Sequence, residues 1–215
     1  MLRRTGPDRM HLVQVGGGPL GGDRLALDVD LGPDQRLRVR TAAATVVQPD
    51  RTGSPASFIV RAALAAGARL DWEPEPTVVC DGAHWRPVLE VDLEEGAGAV
   101  LGEQVVLGRS GQRGGRCASG LRVHVAGRPL LVSTQLVDGA DAALRGPGGT
   151  GGARSVGTLV LAGAGAAVPG DAHEATGEEP DVAWAWSALA GPGALLTALG
   201  SVRGVARVLA RARPR

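Results

Sequence analysis

The sequence predicts a mainly β fold of many short strands, with a small helical part near the C-terminal end. Three observations lead there. Runs of alternating apolar and polar residues recur every ~8 to 12 residues, each closed by glycine, proline or aspartate. Glycine and proline number 34 and 14 of 215 residues, yet 44% of the chain is hydrophobic, which suits a folded chain with many turns. Only the tail changes to a helical period. Strand spacing alone leaves a sandwich, a barrel or a solenoid open, and no fixed repeat length marks a regular array.

The first element pair lies in His11 to Asp30, HLVQVGGGPLGGDRLALDVD. Leu12, Val13 and Val15 form a short apolar run. Leu25, Leu27 and Val29 then alternate with Ala26, Asp28 and Asp30, the period of a half-buried strand. Gly16, Gly18 and Gly21 meet the G-x-G-x-x-G spacing of a dinucleotide site. However, Pro19 sits inside the loop, a strand pattern follows it, and Arg36, Arg38 and Arg40 stand where the ribose-binding acid is needed. A nucleotide-binding enzyme using Gly16–Gly21 is therefore the minor alternative. The stretch reads as a tight strand-to-strand turn.

Leu37, Val39 and Thr41 alternate with the three arginines in a second strand, and Gln48 to Ala56 is a loop. Strands follow at Ser57 to Ala63, Arg69 to Glu73 and Thr77 to Cys80, with Pro74 and Pro76 at strand ends, where no ladder donor is required. Asp81-Gly82 signals a hairpin into Trp85 to Asp92. Glu94-Glu95-Gly96 turns the chain into Ala99 to Leu107. The basic glycine loop Gly108 to Gly120 leads to a hairpin of Leu121 to Val125 and Pro129 to Val137 about Ala126-Gly127. Val156 to Ala162 closes the strand-rich region 11–162, flanked by the weak linker Gly139 to Gly152.

A flexible Gly/Pro linker is expected at 163–181 and a helical tail at 182–212, all within one domain, 1–215. Leu195, Leu199, Val202, Ala206 and Leu209 recur at helical spacing, with Arg203, Arg207 and Arg211 on another face. That basic face is a candidate docking surface for an acidic partner. Its plainer reading is a helix packed on the sheet with solvated arginines.

Composition removes several chemistries. The net charge of +1 suggests no nucleic-acid or membrane partner through bulk charge. All 23 basic residues are arginine, so no lysine is available for a Schiff base or a P-loop, and Gly146 to Ser155 carries Arg154 where that lysine would stand. Cys80 and Cys117 lack CxxC spacing and read as buried free thiols in a reducing compartment. With no apolar leader at the N-terminus, the expected location is the cytoplasm. Val182 to Val202 is uncharged, but its glycines, proline and hydroxyl residues disfavour a membrane span. His11, His84, His124 and His173 have no metal-ligand spacing, and Cys80 with His84 makes only a weak pair across a turn. No G-x-S-x-G elbow is present. Glu73/Glu75 and Glu94/Glu95 are the paired carboxylates, and nothing assembles an acid, a base and a nucleophile. The residues describe a β-rich interaction protein.

HLVQVGGGPLGGDRLALDV resembles the glycine-turn signature of the UreD (UreH) family of urease accessory proteins. Thr41-Ala42-Ala43-Ala44-Thr45 is similar to the family's T-x-x-A-T segment. Ala66 to Glu75, AGARLDWEPE, is similar to its GA-x-LEWLP-x-E. Val91-Asp92-Leu93 and Leu107-Gly108-Arg109 match the strand and loop that follow. The likeness runs from about Leu12 to Leu161, in the manner of a short actinobacterial member. It departs in three places: additional strands precede the glycine turn in the family pattern, Gln48 replaces an aromatic residue, and Gly114-Gly115-Arg116 stand where the family loop closes on glutamate.

The resemblance implies a β-helix-like stack of strands and a nonenzymatic function. It implies binding to apo-urease and to UreF-like and UreG-like accessory proteins. It implies no permanent cofactor, with nickel in transit through a channel inside the protein. Asp23, Glu75 and Glu103 match motif positions and are the candidate nickel-path residues, with Asp28 and His11 behind them. Oxygen donors in a wet interior would hold the ion weakly enough to release it. Asp23 also suits a simpler task, capping its own turn. A β-solenoid interaction protein without a urease role is the alternative.

Overall fold

Each short alternating run forms a strand, and each glycine-bearing break turns the chain onto the opposite wall. The computed structural model describes residues 1–168 and 174–214. The strands are β1 (Leu2–Arg4), β2 (Arg9–Leu12), β3 (Arg24–Leu31), β4 (Arg36–Thr41), β5 (Thr45–Val47), β6 (Ala56–Leu64), β7 (Arg69–Glu73) and β8 (Thr77–Val79). They continue as β9 (His84–Leu93), β10 (Gly98–Leu107), β11 (Arg116–Val125), β12 (Arg128–Asp138), β13 (Ser155–Gly163), β14 (Glu174–Glu179), β15 (Val182–Ala188) and β16 (Gly193–Gly200). The helices are α1 (Ala142–Arg145) and α2 (Val202–Ala212).

Two sheets face each other. In the larger, β2, β4, β7 and β10 lie parallel in succession. In the smaller, β3, β6, β9 and β11 do the same. The chain alternates between them, so successive coils stack one residue row upon the next. This is a β-solenoid, as the resemblance implies. The first wall is broken twice: β5 and β8 continue the rungs of β4 and β7, and β8 pairs with the far half of β10. After β11 the winding stops. β12 folds back as a hairpin on β11, while β13, β16, β15 and β14 extend the larger sheet antiparallel.

The winding corrects two turn assignments. Asp81-Gly82 does not close a hairpin, because β8 and β9 belong to opposite sheets, and Gly16–Gly21 likewise carries the chain from one sheet to the other. The local chemistry was read correctly, since Gly82 and Gly96 take left-handed φ of 73° and 82°, but such a corner fits either a hairpin or a coil. Ala126-Gly127 is a true hairpin turn.

The tail differs more. Residues 182–188 and 193–200 form two strands of the larger sheet, not helix, and β14 lies within the expected linker. The run of Ala, Leu and Gly satisfies either period, and the open edge of β13 decides between them by pairing with β16. The helix begins only at Val202, where the Ser201 hydroxyl accepts a hydrogen bond from the Gly204 amide at 2.9 Å. Its buried stripe is Gly204, Val205, Val208 and Leu209, so Val202 and Ala206 face outward, contrary to the expected face.

Strand alternation separates two interiors. Val39, Leu70, Trp72, Leu101, Val160 and Val123 point between the two walls. Leu159, Leu161, Leu196 and Ala198 point out of the larger sheet onto Val205, Val208 and Leu209. Gly157 allows this seat: a Cβ there would stand 2.4 Å from a Val205 methyl. Among the described residues no helix is long and apolar enough to cross a membrane.

Candidate functional site

The two walls do not close completely. A cavity of about 670 Å³ runs between them from the glycine loop to the inner faces of β10 and β11. Axial space is left where the small side chains Ser119 and Thr158 stand in the inward rows of β11 and β13. Its walls are largely apolar, with Leu27, Phe58, Val60, Trp72, Leu89 and Leu101 among them.

Three carboxylates interrupt that apolar lining, and they are Asp23, Glu75 and Glu103. Asp23 and Glu75 are exposed at the rim. Asp23 accepts a hydrogen bond from the Leu20 amide at 2.9 Å, so it caps its own turn while facing the opening. Glu75 stands between two prolines in the break between β7 and β8, and its backbone amide donates to the Thr41 hydroxyl at 2.8 Å. Gly18 (φ 101°) brings the glycine loop against the backbone of Val46, leaving no room for a side chain.

Glu103 lies deep inside. On β10 it shares the inward row with Leu101 and Val105, and Thr158 of β13 stands opposite it. The Ser119 hydroxyl donates to its Oε2 at 2.5 Å. Protein surrounds it, and its remaining accessible surface faces the cavity it lines. Burial raises its pKa above the ordinary glutamate value, and the Ser119 hydrogen bond offsets part of that rise. The neighbouring Cys117 thiol is pushed up well above its usual range, first by burial and then by the Glu103 charge. Cys117 is thus a packing residue held as a thiol.

The three acids line one cavity but are not one chelating cluster. Among the described residues no three His, Cys, Asp or Glu side chains come together to hold a metal. The lining therefore offers separate oxygen donors from rim to depth. Alternation could have revealed Glu103, the one acid in the inward row of an apolar strand. Ser119 and Thr158 carry no such signal, because pairing between coils brings them there.

The remaining candidates lie elsewhere. Asp28 is on the outer face of the smaller sheet, 3.6 Å from Arg61, in a row that continues through Glu90 to Arg122. His11 Nδ1 is 2.7 Å from the Thr5 hydroxyl. Cys80 is buried with Trp85 while His84 is exposed, so the two do not meet in a metal site, and His124 pairs with Asp92 at 3.2 Å. His173 lies outside the described residues. Arg207 and Arg211 are engaged within the chain, binding Glu179 at 2.8 and 2.9 Å, and Arg207 also reaches Asp181 at 2.7 Å. The two arginines hold Glu179 below its ordinary value, and the Ser201 hydroxyl followed by Arg207 does the same for Asp181. Of the expected docking face only Arg203 is left without an ion pair among the described residues. The glycine loop opens a strand and no helix, which removes the geometry a dinucleotide pyrophosphate needs.

The chain is similar in sequence to known proteins. Residues 2–213 match the family described as UreD urease accessory protein. The urease accessory protein UreD of Frankia alni is 42% identical over 207 residues, which is 88% of this chain and 67% of the relative. That of a Parafrankia species is 37% identical over 92% of this chain and 73% of its own length. That of Streptomyces coelicolor is 37% identical over 89% and 74%.

Proposed function

This chain belongs to the UreD family of urease accessory proteins, and on that premise we propose that it is a nonenzymatic scaffold for urease maturation. It binds apo-urease together with UreF-like and UreG-like accessory proteins, and it supports insertion of nickel into the urease active site. The observation that carries this reading is the cavity of about 670 Å³ with Asp23, Glu75 and Glu103 spaced along it. Nickel here is cargo. The rim carboxylates Asp23 and Glu75 attract the hydrated cation by charge, and their exposure keeps that hold weak. Glu103 meets it where water is scarce. Its Oε2 already accepts the Ser119 hydrogen bond, which competes with the ion for that oxygen and favours release.

Co-expression of this chain with its UreF-like partner and urease, followed by size-exclusion chromatography, tests the scaffold. The expected result is co-elution, and urease that gains nickel and activity only when the chain is present. Asp23→Ala, Glu75→Ala and Glu103→Gln should then lower the nickel content of urease while co-elution persists. Separate elution with fully active urease would leave a β-solenoid interaction protein without a urease role.

A further inference from the structure

One long edge of the solenoid is basic, and we propose that it is a preorganised docking surface for an acidic protein partner. Loops 48–55, 80–83, 108–115 and 139–154 all fall on this edge, because each joins strand ends that meet there. They carry Arg51, Arg109, Arg113, Arg145 and Arg154, all exposed, with Arg116 beside them at the start of β11. None of these six is in an ion pair among the described residues; exposed arginines elsewhere, such as Arg3, Arg9 and Arg128, are unpaired too, but only here do six gather on one edge.

The acids of the same edge do not pair with those arginines because they are turned onto backbone amides. Asp50 accepts from the Ser54 amide at 2.8 Å, Asp81 from Gly114 at 2.6 Å, Asp138 from Ala140 at 2.9 Å and Asp141 from Ala143 at 2.8 Å. These bonds fix the loops in shape. The Arg154 guanidinium stitches two of them together, donating to the carbonyls of Leu107, Gly108 and Arg109 at 3.2, 3.0 and 2.8 Å. The Arg109 amide donates to Gln112 Oε1 at 3.0 Å. Arg109 and Arg113 are therefore presented from an ordered loop, which lowers the entropy lost on binding. Fixed cations without partners gain most from meeting carboxylates across an interface. Nucleic acid fits less well. The chain as a whole carries only +1, and the four loops hold no aromatic side chain on which a base could stack.

This deepens the scaffold reading, on which it rests for the identity of the partner. The test uses the full chain with a polyglutamate peptide of about 20 residues as probe, read by fluorescence anisotropy. Binding is expected at about 50 mM salt and should weaken at least about tenfold by about 300 mM. The triple variant Arg109→Glu/Arg113→Glu/Arg145→Glu should abolish it with an unchanged circular dichroism spectrum, since none of the three side chains holds the fold. Arg3→Glu/Arg9→Glu/Arg128→Glu, exposed arginines away from this edge, should bind as the parent does. No binding to polyglutamate, equal loss in both triple variants, or tighter binding to an oligothymidylate of about 20 nucleotides would each overturn the proposal. Polyglutamate binding without urease co-elution would support the basic edge and sink the scaffold reading.

Discussion

On the inner face of β10, Glu103 looks into the cavity between Leu101 and Val105. On the outer face of the same strand, Gly102 lies beneath the Arg213 guanidinium, and Gln104 donates to Ser155 Oγ and to the Val202 carbonyl at the start of α2, both at 2.9 Å. β13 repeats the contrast: Thr158 lines the cavity while Leu159 is fully buried against the α2 side. Inside, space is left, and Glu103 meets the Ser119 hydroxyl beside it. Outside, Leu159, Leu196 and Ala198 pack under Val205, Val208 and Leu209, and Gln104 and Arg213 tie the helical end to the sheet. The proposed nickel path thus lies on one face of the sheet and the seat of α2 on the other, and substitutions should separate the two.

The largest effect is expected from the filled side. Leu159→Ala should cost about 3 kcal/mol in urea denaturation, because a fully buried side chain leaves a hole that the sheet and α2 cannot close. A cost near zero would mean that α2 is loosely seated and that the contrast between faces fails. Arg213→Ala comes next. Arg213 is 15% exposed and reaches Asp71 at 2.9 Å and Glu73 at 3.2 Å, while Arg38 and Arg40 bind the same acids from β4. Its removal should cost about 1 to 2 kcal/mol. A double-mutant cycle with Asp71→Asn checks that the loss belongs to the pair.

The open side should respond with the opposite sign. Glu103→Gln is expected to stabilise the chain by about 1 kcal/mol at pH 8 while it lowers nickel delivery. A carboxyl whose pKa is raised on folding opposes the fold above that raised value. The opposition disappears as pH falls and the native group takes up its proton. The advantage of glutamine should therefore shrink toward acid pH, and a constant or growing advantage would show that Glu103 is not held above its ordinary value.

The smallest effect belongs to the exposed ion pairs of α2. Arg207 and Arg211 lower the pKa of Glu179, while the Ser201 hydroxyl and then Arg207 lower that of Asp181. Their support is thus present above the ordinary carboxylate range and lost as pH falls through the lowered values. Arg207→Ala should shift the unfolding midpoint slightly at neutral pH and low salt. It should have no effect at about 1 M salt.

Much of the first wall was legible. Arg69–Glu73 is a strand to the residue, because its alternation is strict, a glycine turn precedes it and Pro74 ends it. The destination of each strand was not legible. Gly82 and Gly96 announce a left-handed corner, and nothing local says whether the next strand returns to its neighbour or crosses to the opposite wall. Residues 193–200 misled for a related reason, since alanine and leucine fill a helix stripe or a strand face equally well and the waiting edge of β13 chose. Of the site, the three acids came from family motifs. Their common cavity came from the stacking of coils far apart in sequence.

The bond from Arg213 to Asp71 spans 142 residues. During synthesis, β7 and β10 emerge from the ribosome well before α2 and the residue that clamps them, so the apolar outer face of β13 and β16 waits uncovered until the last segment arrives. The winding coils can form in order as they emerge, each on the one before it. The outer face cannot. A nascent chain stalled before residue 202 should therefore hold its coils yet be sticky, and chaperone dependence should concentrate on that brief, late interval.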